Sequence, residues 1–226
     1  MEHLLLKISI MLVPALLAVT VHEVAHGYAA DRLGDPTARL LGRLTLNPLR
    51  HLDPVGTLAL MFVGFGWARP VPVNVTNLRN PHKSMLWVAL AGPMANFTLA
   101  FLSAVLLHVL GFVDRLGFEW LNIVTQPLLL MAAFSLYVNV LLAIFNLIPI
   151  PPLDGGRVLA SLLPLRYAAV LMKLEPFGFF LVIAIVFFTK LWQTILGPII
   201  LSVVSFLAGQ QWNVVEAVSH YLLSRG

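Results

Sequence analysis

The feature that most constrains this chain is a pair of histidines and a glutamate set in an almost unbroken apolar run. The sequence His22-Glu23-Val24-Ala25-His26 lies near the end of the apolar residues 4–30. In a helix the two histidines lie about one turn apart on one face, so their ring nitrogens can bind one tetrahedral metal ion, with the glutamate in reach of a water molecule on that metal. Zinc peptidases need this arrangement. Two core histidines bonded to neighbouring helices are the alternative, but burying these ionisable groups in a membrane helix is costly without a function.

The composition is that of an integral membrane protein. Of the 226 residues, 59% are hydrophobic and only 11% are charged, well outside the range of ordinary soluble domains. The formal net charge is +4, but the basic residues are scattered between apolar runs, which argues against nucleic acid as a partner. The chain has no cysteine, so a bound metal must be held by histidine and carboxylate.

Three apolar segments are long enough to cross a hydrocarbon core of about 30 Å, which takes about 20 helical residues. They are residues 4–30, 84–113 and 125–148. We therefore predict an all-α polytopic membrane protein with a three-helix catalytic core. No internal repeat or soluble domain is visible, so residues 1–226 are interpreted as one membrane-embedded domain. Its core covers about residues 4–163 and its C-terminal helices about residues 164–226.

One or two further membrane helices are expected after residue 176. The apolar residues 177–208 are interrupted by Lys190 and by Gly197-Pro198, so one bent helix and two short helices both fit. The residues that follow, 212–225, have the pattern of an amphipathic helix at the membrane interface.

A shorter apolar segment separates the first two spans. Residues 53–74 are too short and too broken for a regular span, with Gly66-Trp67-Ala68-Arg69-Pro70 in their middle. Non-helical backbone at membrane depth must be covered by protein or line a cavity. We predict a re-entrant, strand-like hairpin beside the metal site. A short amphipathic surface loop is the alternative.

The placement of positive charge predicts which side of the membrane each loop faces. Seven of the fourteen basic residues fall between Arg32 and Lys83, whereas the link 114–122 carries only Arg115. The bias of lysine and arginine towards the cytoplasm places residues 31–83 and 149–176 inside and the link outside. The metal site then lies towards the cytoplasmic side of the cell membrane.

A zinc site with one open position needs a third protein ligand. Asp154 follows the third span in the sequence Pro151-Pro152-Leu153-Asp154-Gly155-Gly156 and reaches the same side as the two histidines. The prolines and glycines around it favour a carboxylate on rigid, non-helical backbone. Asp53 and His51 reach the same side and remain alternatives.

Two asparagines in the apolar spans are candidates for substrate positioning. Asn96 and Asn146 each carry an amide that can bond to a substrate backbone or to an oxyanion. Hydrogen bonding between helices, which is common for polar residues in membranes, is the alternative for both.

Together these residues resemble the site-2 protease family (M50) of intramembrane zinc metalloproteases, in its short form without PDZ or CBS domains. The matching motifs are, in chain order, His22-Glu23-x-x-His26, Gly92-Pro93-x-x-Asn96 and Asn146-x-x-Pro149-x-x-Pro152-Leu153-Asp154-Gly155-Gly156. The resemblance implies one zinc ion held by His22, His26 and Asp154, with Glu23 as the catalytic glutamate. It implies that Asn146 positions the substrate, and that the substrates are membrane-anchored proteins cut in or near their transmembrane segments.

Two other functional classes use buried polar groups in membranes. An ion transporter is expected to show inverted repeats and paired broken helices, and neither is visible in the sequence. A non-catalytic zinc-binding membrane protein needs no glutamate beside its histidines, yet Glu23 is present. The predicted partners are therefore protein substrates and the lipid bilayer, and nucleic acid is not among them.

The orientation can be tested directly because the chain contains no cysteine. In intact cells, an impermeant thiol reagent should label a cysteine introduced at Phe118. It should label a cysteine introduced at Leu40 only after the membrane has been opened. The reverse pattern would place the metal site near the outer face.

Overall fold

The computed structural model describes residues 2–56 and 68–223. The regular elements within those residues are helices. The β structure described there is a single isolated antiparallel bridge between Leu52 and Ala68. The helices are α1 (Glu2–Arg32), α2 (Thr37–Leu40), α3 (Pro81–Arg115), α4 (Asn122–Asn146), α5 (Asp154–Leu162), α6 (Leu165–Met172), α7 (Glu175–Phe188), α8 (Gly197–Ala208) and α9 (Trp212–Leu223).

Among the described residues, four stretches are long and apolar enough to cross a membrane. They are Ile8–Arg32, Pro81–Arg115, Asn122–Asn146 and Trp192–Ser219. The first three match the spans predicted from the sequence, and the fourth confirms a further membrane helix after residue 176. Large apolar side chains on α1 and α3 remain exposed, as on surfaces that face lipid. The chain is a multi-pass membrane protein.

The region from residue 177 to 208 forms two helices, α7 and α8. The chain breaks near Lys190, as the sequence indicates, and resumes with a π-helical turn at Trp192–Leu196. At Gly197-Pro198 the backbone changes from the π-helical turn to α8 without leaving the helical region, so this position marks an irregularity in a bent helix and not a second break. Pro198 lacks a backbone N–H, and the π-helical turn lies directly before it, where the regular hydrogen-bond pattern of an α-helix is already altered. Helix α9 follows as predicted, and its interfacial position stays a prediction.

The chain packs as two units. The first comprises residues 1–18, 96–144 and 190–226, and the second comprises residues 19–95 and 145–189. Helices α1, α3 and α4 contribute residues to both units. The second unit contains the histidines of the motif and Asp154, whereas the first contains Asn96.

Polar side chains join three helices of the first unit. The side-chain amide of Asn96 donates to the carbonyl oxygen of Ala18 (3.2 Å) and to Oδ1 of Asn139 (2.8 Å). Asn139 in turn donates to the carbonyl oxygen of Ser135 (2.9 Å), and the hydroxyls of Ser103 and Ser135 lie 2.8 Å apart. Hydrogen bonds of this kind connect membrane helices where apolar packing alone gives little selectivity.

In the second unit, a buried aspartate organises the chain that follows α1. The carboxylate of Asp35 accepts hydrogen bonds from the hydroxyl of Thr37 (2.5 Å), the backbone N–H of Asn74 (2.6 Å) and the side-chain amide of Asn77 (2.9 Å). The backbone N–H of Arg79 also donates to the carbonyl oxygen of Leu33 (3.0 Å). These bonds fix residues 74–79 against the C-terminal end of α1.

Half of the predicted re-entrant hairpin, residues 57–67 of 53–74, lies outside the described residues. The described ends of the chain on either side of residues 57–67 lie next to each other. Leu52 and Ala68 form the isolated bridge, and the backbone N–H of Arg69 donates to the carbonyl oxygen of His51 (2.7 Å). The hairpin between those ends stays a prediction.

Ionisation of Asp35 should contribute to stability. Burial alone would raise the pKa of Asp35, but the hydrogen bonds from Thr37, Asn77 and Asn74 outweigh it and hold that pKa below its ordinary value. A depressed folded-state pKa stabilises the fold above the unfolded-state pKa, and this stability is lost as the pH falls through the folded value. Asp35→Asn should therefore lower the thermal unfolding temperature at pH 7 and flatten its decline below about pH 4.

The matched control for this experiment is Asp31→Asn. Asp31 also lies at the end of α1, but its partner Arg39 is exposed, and such surface pairs contribute little to stability. Thermal unfolding followed by tryptophan fluorescence across pH 3–8 is the measurement. An acid profile of Asp35→Asn that matched the wild type would contradict the role of this carboxylate.

Candidate metal centre

Three side chains of the second unit converge on one point. The Nε2 atoms of His22 and His26 lie 3.0 Å apart, and Oδ2 of Asp154 lies 3.1 Å from the first and 3.3 Å from the second. The two imidazole rings are nearly perpendicular, at 85°. Only 9 to 12% of each side chain is exposed. Helical spacing on α1 accounts for the two histidines, which lie one turn apart on a single face.

A backbone carbonyl fixes the protonation of His26. Its Nδ1 lies 2.7 Å from the carbonyl oxygen of Val88 on α3. Because a carbonyl can only accept, Nδ1 carries the proton and donates it, and in the neutral ring Nε2 then presents a lone pair to the cluster. Histidines that bind metals are commonly oriented by such a bond on their other nitrogen.

A glycine on α3 makes room for the two rings. A Cβ atom added to Gly92 would lie 2.6 Å from Cε1 of His22 and would also overlap the ring of His26. Real Cβ contacts are not this close. The absence of a side chain at residue 92 therefore lets α3 pack directly against both imidazoles.

The carboxylate of Asp154 is held at the start of α5 by a tightly packed turn. A Cβ atom on Gly155 would overlap the carbonyl oxygens of Leu147 and Ile148, and one on Gly156 would overlap the backbone of Ile150 and Pro151. Two consecutive glycines therefore bring the first turn of α5 against the chain that leaves α4. The sequence placed Asp154 on irregular backbone, whereas the structure makes it the first residue of a helix. A carboxylate is favoured at that end of a helix.

The donor set fits a tetrahedral metal ion. Zinc binds histidine nitrogen and carboxylate oxygen at about 2.0–2.2 Å, which separates tetrahedral ligand atoms by about 3.3–3.5 Å. The three observed separations, 3.0, 3.1 and 3.3 Å, are close to that range. Oδ2 of Asp154 is also buried without a hydrogen-bond donor. A buried carboxylate oxygen facing the Nε2 lone pair of His26 is costly unless a cation lies between them.

Glu23 lies beside this cluster and has a partner of its own. Its Oε2 accepts a hydrogen bond from the backbone N–H of Val71, at 2.9 Å. Residues 69–73, near the end of the predicted hairpin, therefore pass next to the glutamate. The bond fixes the carboxylate in one orientation.

The two alternatives for a third ligand do not join the cluster. Nε2 of His51 is bonded to the carbonyl oxygen of Thr45 (2.8 Å), and the carboxylate of Asp53 accepts from the backbone N–H of Gly56 (2.8 Å). Among the described residues, His22, His26 and Asp154 are the group of histidines and carboxylates that can hold a metal ion.

The two asparagines differ in their surroundings. Asn96 is fully buried and bonds to Ala18 and Asn139, which are the contacts of the helix-to-helix alternative. Asn146 is the last residue of α4, is partly buried and belongs to the same unit as the cluster. Substrate contact by either residue stays a prediction.

The family model for Peptidase family M50 matches residues 10–128 and 119–189 of this chain. The chain belongs to peptidase family M50. This M50 peptidase is 38% identical over 190 residues to a Bacillus subtilis protein named "Putative zinc metalloprotease YwhC", a match that covers 84% of the chain and 85% of the relative. The family inferred from the sequence motifs is confirmed.

More distant relatives are longer than this M50 peptidase. "Putative zinc metalloprotease Rip2" of Mycolicibacterium smegmatis is 30% identical over 175 residues, which cover 75% of the chain and 63% of that protein. "Zinc metalloprotease MJ0392" of Methanocaldococcus jannaschii is 28% identical over 159 residues, which cover 70% of the chain and 36% of that protein. No solved structure matches the chain significantly.

Three contacts of the site were not found by sequence reasoning. The carbonyl oxygen of Val88 and the backbone N–H of Val71 leave no trace in the side-chain pattern, because any residue type supplies them. Gly92 was visible as part of a motif, but its contact with the histidines depends on how α3 packs against α1.

The packing of Gly92 predicts a strong effect of one added methyl group. Gly92→Ala should displace the histidine rings and lower zinc affinity by about 10- to 100-fold, as loss of outer-shell support typically does. Helix α3 should persist, because alanine favours helix more than glycine. Gly111→Ala on the same helix is the control, since the three atoms nearest to its added Cβ all belong to the flexible side chain of Gln211. Zinc per chain is the measurement, and full zinc in a folded Gly92→Ala protein would refute the steric argument.

Proposed function

We propose that this chain is an intramembrane zinc endopeptidase that cuts peptide bonds in or near the transmembrane segments of membrane-anchored proteins. Membership in family M50 makes it a metalloprotease, and its metal is zinc. The observation that carries the intramembrane assignment is the position of the cluster. His22 and His26 belong to a helix that is itself a candidate membrane span, Ile8–Arg32.

We assign the zinc ligands as Nε2 of His22, Nε2 of His26 and a carboxylate oxygen of Asp154. Support comes from the 3.0–3.3 Å separations of these atoms and from the bond between His26 and Val88, which directs a lone pair of His26 into the cluster. Zinc in this site supplies Lewis acidity, which lowers the pKa of water and polarises a carbonyl group.

Glu23 is the proposed general base and acid. Its carboxylate takes a proton from the attacking water and then delivers that proton to the leaving amine of the scissile bond. The backbone N–H of Val71, 2.9 Å from Oε2, holds the carboxylate in place, so that the group need not reorganise between the two transfers. Since Val71 binds one oxygen, the other oxygen is the one available for proton transfer.

The substrate must be unwound before it is cut, because a helix engages its carbonyl groups in internal hydrogen bonds. We propose that residues 69–73 receive the unwound stretch as an added strand, with Asn146 holding one of its backbone groups. A cavity of about 620 Å³ lies alongside, lined by Val71 and Val73 on one side and by residues of α5 and α6, such as Ala160 and Ala168, on the other. Its largely apolar lining suits the side chains of a membrane segment.

We place the protein in the cell membrane with the centre towards the cytoplasm. The support is the excess of lysine and arginine between Arg32 and Lys83, compared with a single arginine at 114–122. Residues 1–226 act as one catalytic domain in this proposal, with membrane-anchored proteins and the bilayer as partners.

Two classes of variant should separate metal binding from proton transfer. His22→Ala and Asp154→Ala should lose both zinc and activity, because each removes a ligand. Glu23→Gln should keep zinc while cleavage of a membrane-anchored reporter falls by about 10²–10⁴-fold, the usual contribution of a general base. His108→Ala, which changes an exposed histidine of α3, is the control for the substitutions themselves.

Zinc content and reporter cleavage are measured on the same purified, reconstituted samples. Full zinc occupancy in Asp154→Ala would refute the assignment of the third ligand and direct attention to Asp53. Unchanged cleavage by Glu23→Gln would refute the proposed mechanism while leaving the metal site intact.

A further inference from the structure

Three arginines line a second cavity in the connection between α1 and α3. The cavity has a volume of about 480 Å³ and includes Arg43, Arg50 and Arg69 in its wall. Leucines and prolines make up the rest of the described lining, and no carboxylate is among them. A cavity with several positive charges and no lining counter-charge attracts anions.

Arg43 is the buried member of this group. Only 8% of it is exposed, and its Nη2 donates to the carbonyl oxygens of Arg69 (2.9 Å) and Pro70 (3.4 Å). Its Nε is buried without a hydrogen-bond partner. A buried guanidinium N–H with no acceptor is costly, so this donor calls for an oxygen that the described protein does not supply.

The electrostatic surroundings of Arg43 favour the binding of an anion. Its pKa lies below the ordinary value, first because of burial and then because of the positive charge of Arg69, with a smaller effect of Arg50. The negative charge of Glu23 opposes this shift without overcoming it. An anion among the three guanidinium groups would offset both the burial and the mutual repulsion.

Exposed leucines around the cavity indicate that the anion has an apolar part. Leu41 and Leu49 line the cavity and are 60% and 74% exposed, and the nearby Leu40 and Leu46 are also exposed. The segment begins where the first candidate span ends, at Arg32. Apolar side chains next to basic ones, directly beyond a membrane helix, suit the boundary between acyl chains and headgroups.

We propose that Arg43, Arg50 and Arg69 form a binding site for the phosphate headgroup of an anionic phospholipid, with the surrounding leucines against its acyl chains. Arginine forks match phosphate oxygens, and the unpartnered Nε of Arg43 leaves a donor for the headgroup while Nη2 keeps its bonds to the backbone. The site requires only a membrane-embedded protein and does not depend on catalysis.

The test uses full-length protein in neutral detergent. Dihexanoyl phosphatidylglycerol, kept below its micellar concentration, is titrated while the thermal unfolding midpoint is followed by tryptophan fluorescence. A saturable increase in the midpoint is expected. Arg50→Gln/Arg69→Gln should weaken the apparent affinity at least about tenfold, since each substitution removes a charged hydrogen-bond donor from phosphate. Both residues are exposed, so this variant should fold, whereas a change at the buried Arg43 carries the risk of unfolding.

The control variant Arg39→Gln/Arg166→Gln removes the same amount of positive charge from exposed positions outside the cavity lining. It should bind the phosphatidylglycerol as tightly as the wild type. Dihexanoyl phosphatidylcholine should bind more weakly, because its headgroup has no net charge. An equal loss of affinity in the control variant, equal affinity for phosphatidylcholine, or no saturable effect on the wild type would each overturn the proposal.

A titration with inorganic phosphate tests whether the site binds a lipid headgroup or a free phosphate ion. If the lipid is the ligand, phosphate should raise the unfolding midpoint only at much higher concentrations than phosphatidylglycerol, because it lacks the acyl chains that contact the leucines. An effect of phosphate at the same concentration as the lipid would show a site for the free anion and overturn the lipid assignment.

Discussion

Two imidazoles and a carboxylate face one another among apolar helices. The fold of the second unit depends on contacts that offset the energetic cost of burying these polar groups. A cation bound here would offset the repulsion between the Nε2 lone pair of His26 and Oδ2 of Asp154 in a medium of low dielectric constant. The surrounding chain is arranged to keep them together. Val88 orients one ring, Gly92 leaves room for both rings, and Gly155 lets the carboxylate approach.

The sequence predicted those features that depend only on residues close together in the chain. Long apolar runs predicted the first three membrane spans, since a span needs only length and hydrophobicity. The i and i+4 spacing of His22 and His26 predicted that both rings lie on one face, because helical geometry alone determines it. The third ligand was less determined, because residues on three separate segments reached the same side. In the structure, His51 and Asp53 form hydrogen bonds with nearby backbone groups, whereas Asp154 lies with the two histidines.

Features made by distant segments were not predictable. The arginine cavity is an example, since the basic residues look scattered along the sequence. Arg43 and Arg69 are brought together only because the chain returns beside itself at the bridge between Leu52 and Ala68. The form of the irregularity at Gly197-Pro198 was not predictable for a different reason. Glycine and proline can break a helix, bend it or be accommodated by a π-helical turn, and the residue types alone do not decide between these outcomes.

The sequence Pro70-Val71-Pro72 has a consequence for how any extended peptide could lie beside Glu23. Proline has no backbone N–H, so these three residues have one backbone donor among them, and it already binds the glutamate. A peptide that paired with this stretch would meet carbonyl oxygens, of which that of Pro70 also accepts from Arg43, and would itself have to supply the N–H groups. The pairing is one-sided: it can accept from a peptide but cannot donate to one. A peptide with a proline or an N-methylated residue at the facing position has no amide proton there. It would therefore lose a hydrogen bond to the carbonyl oxygens of this stretch.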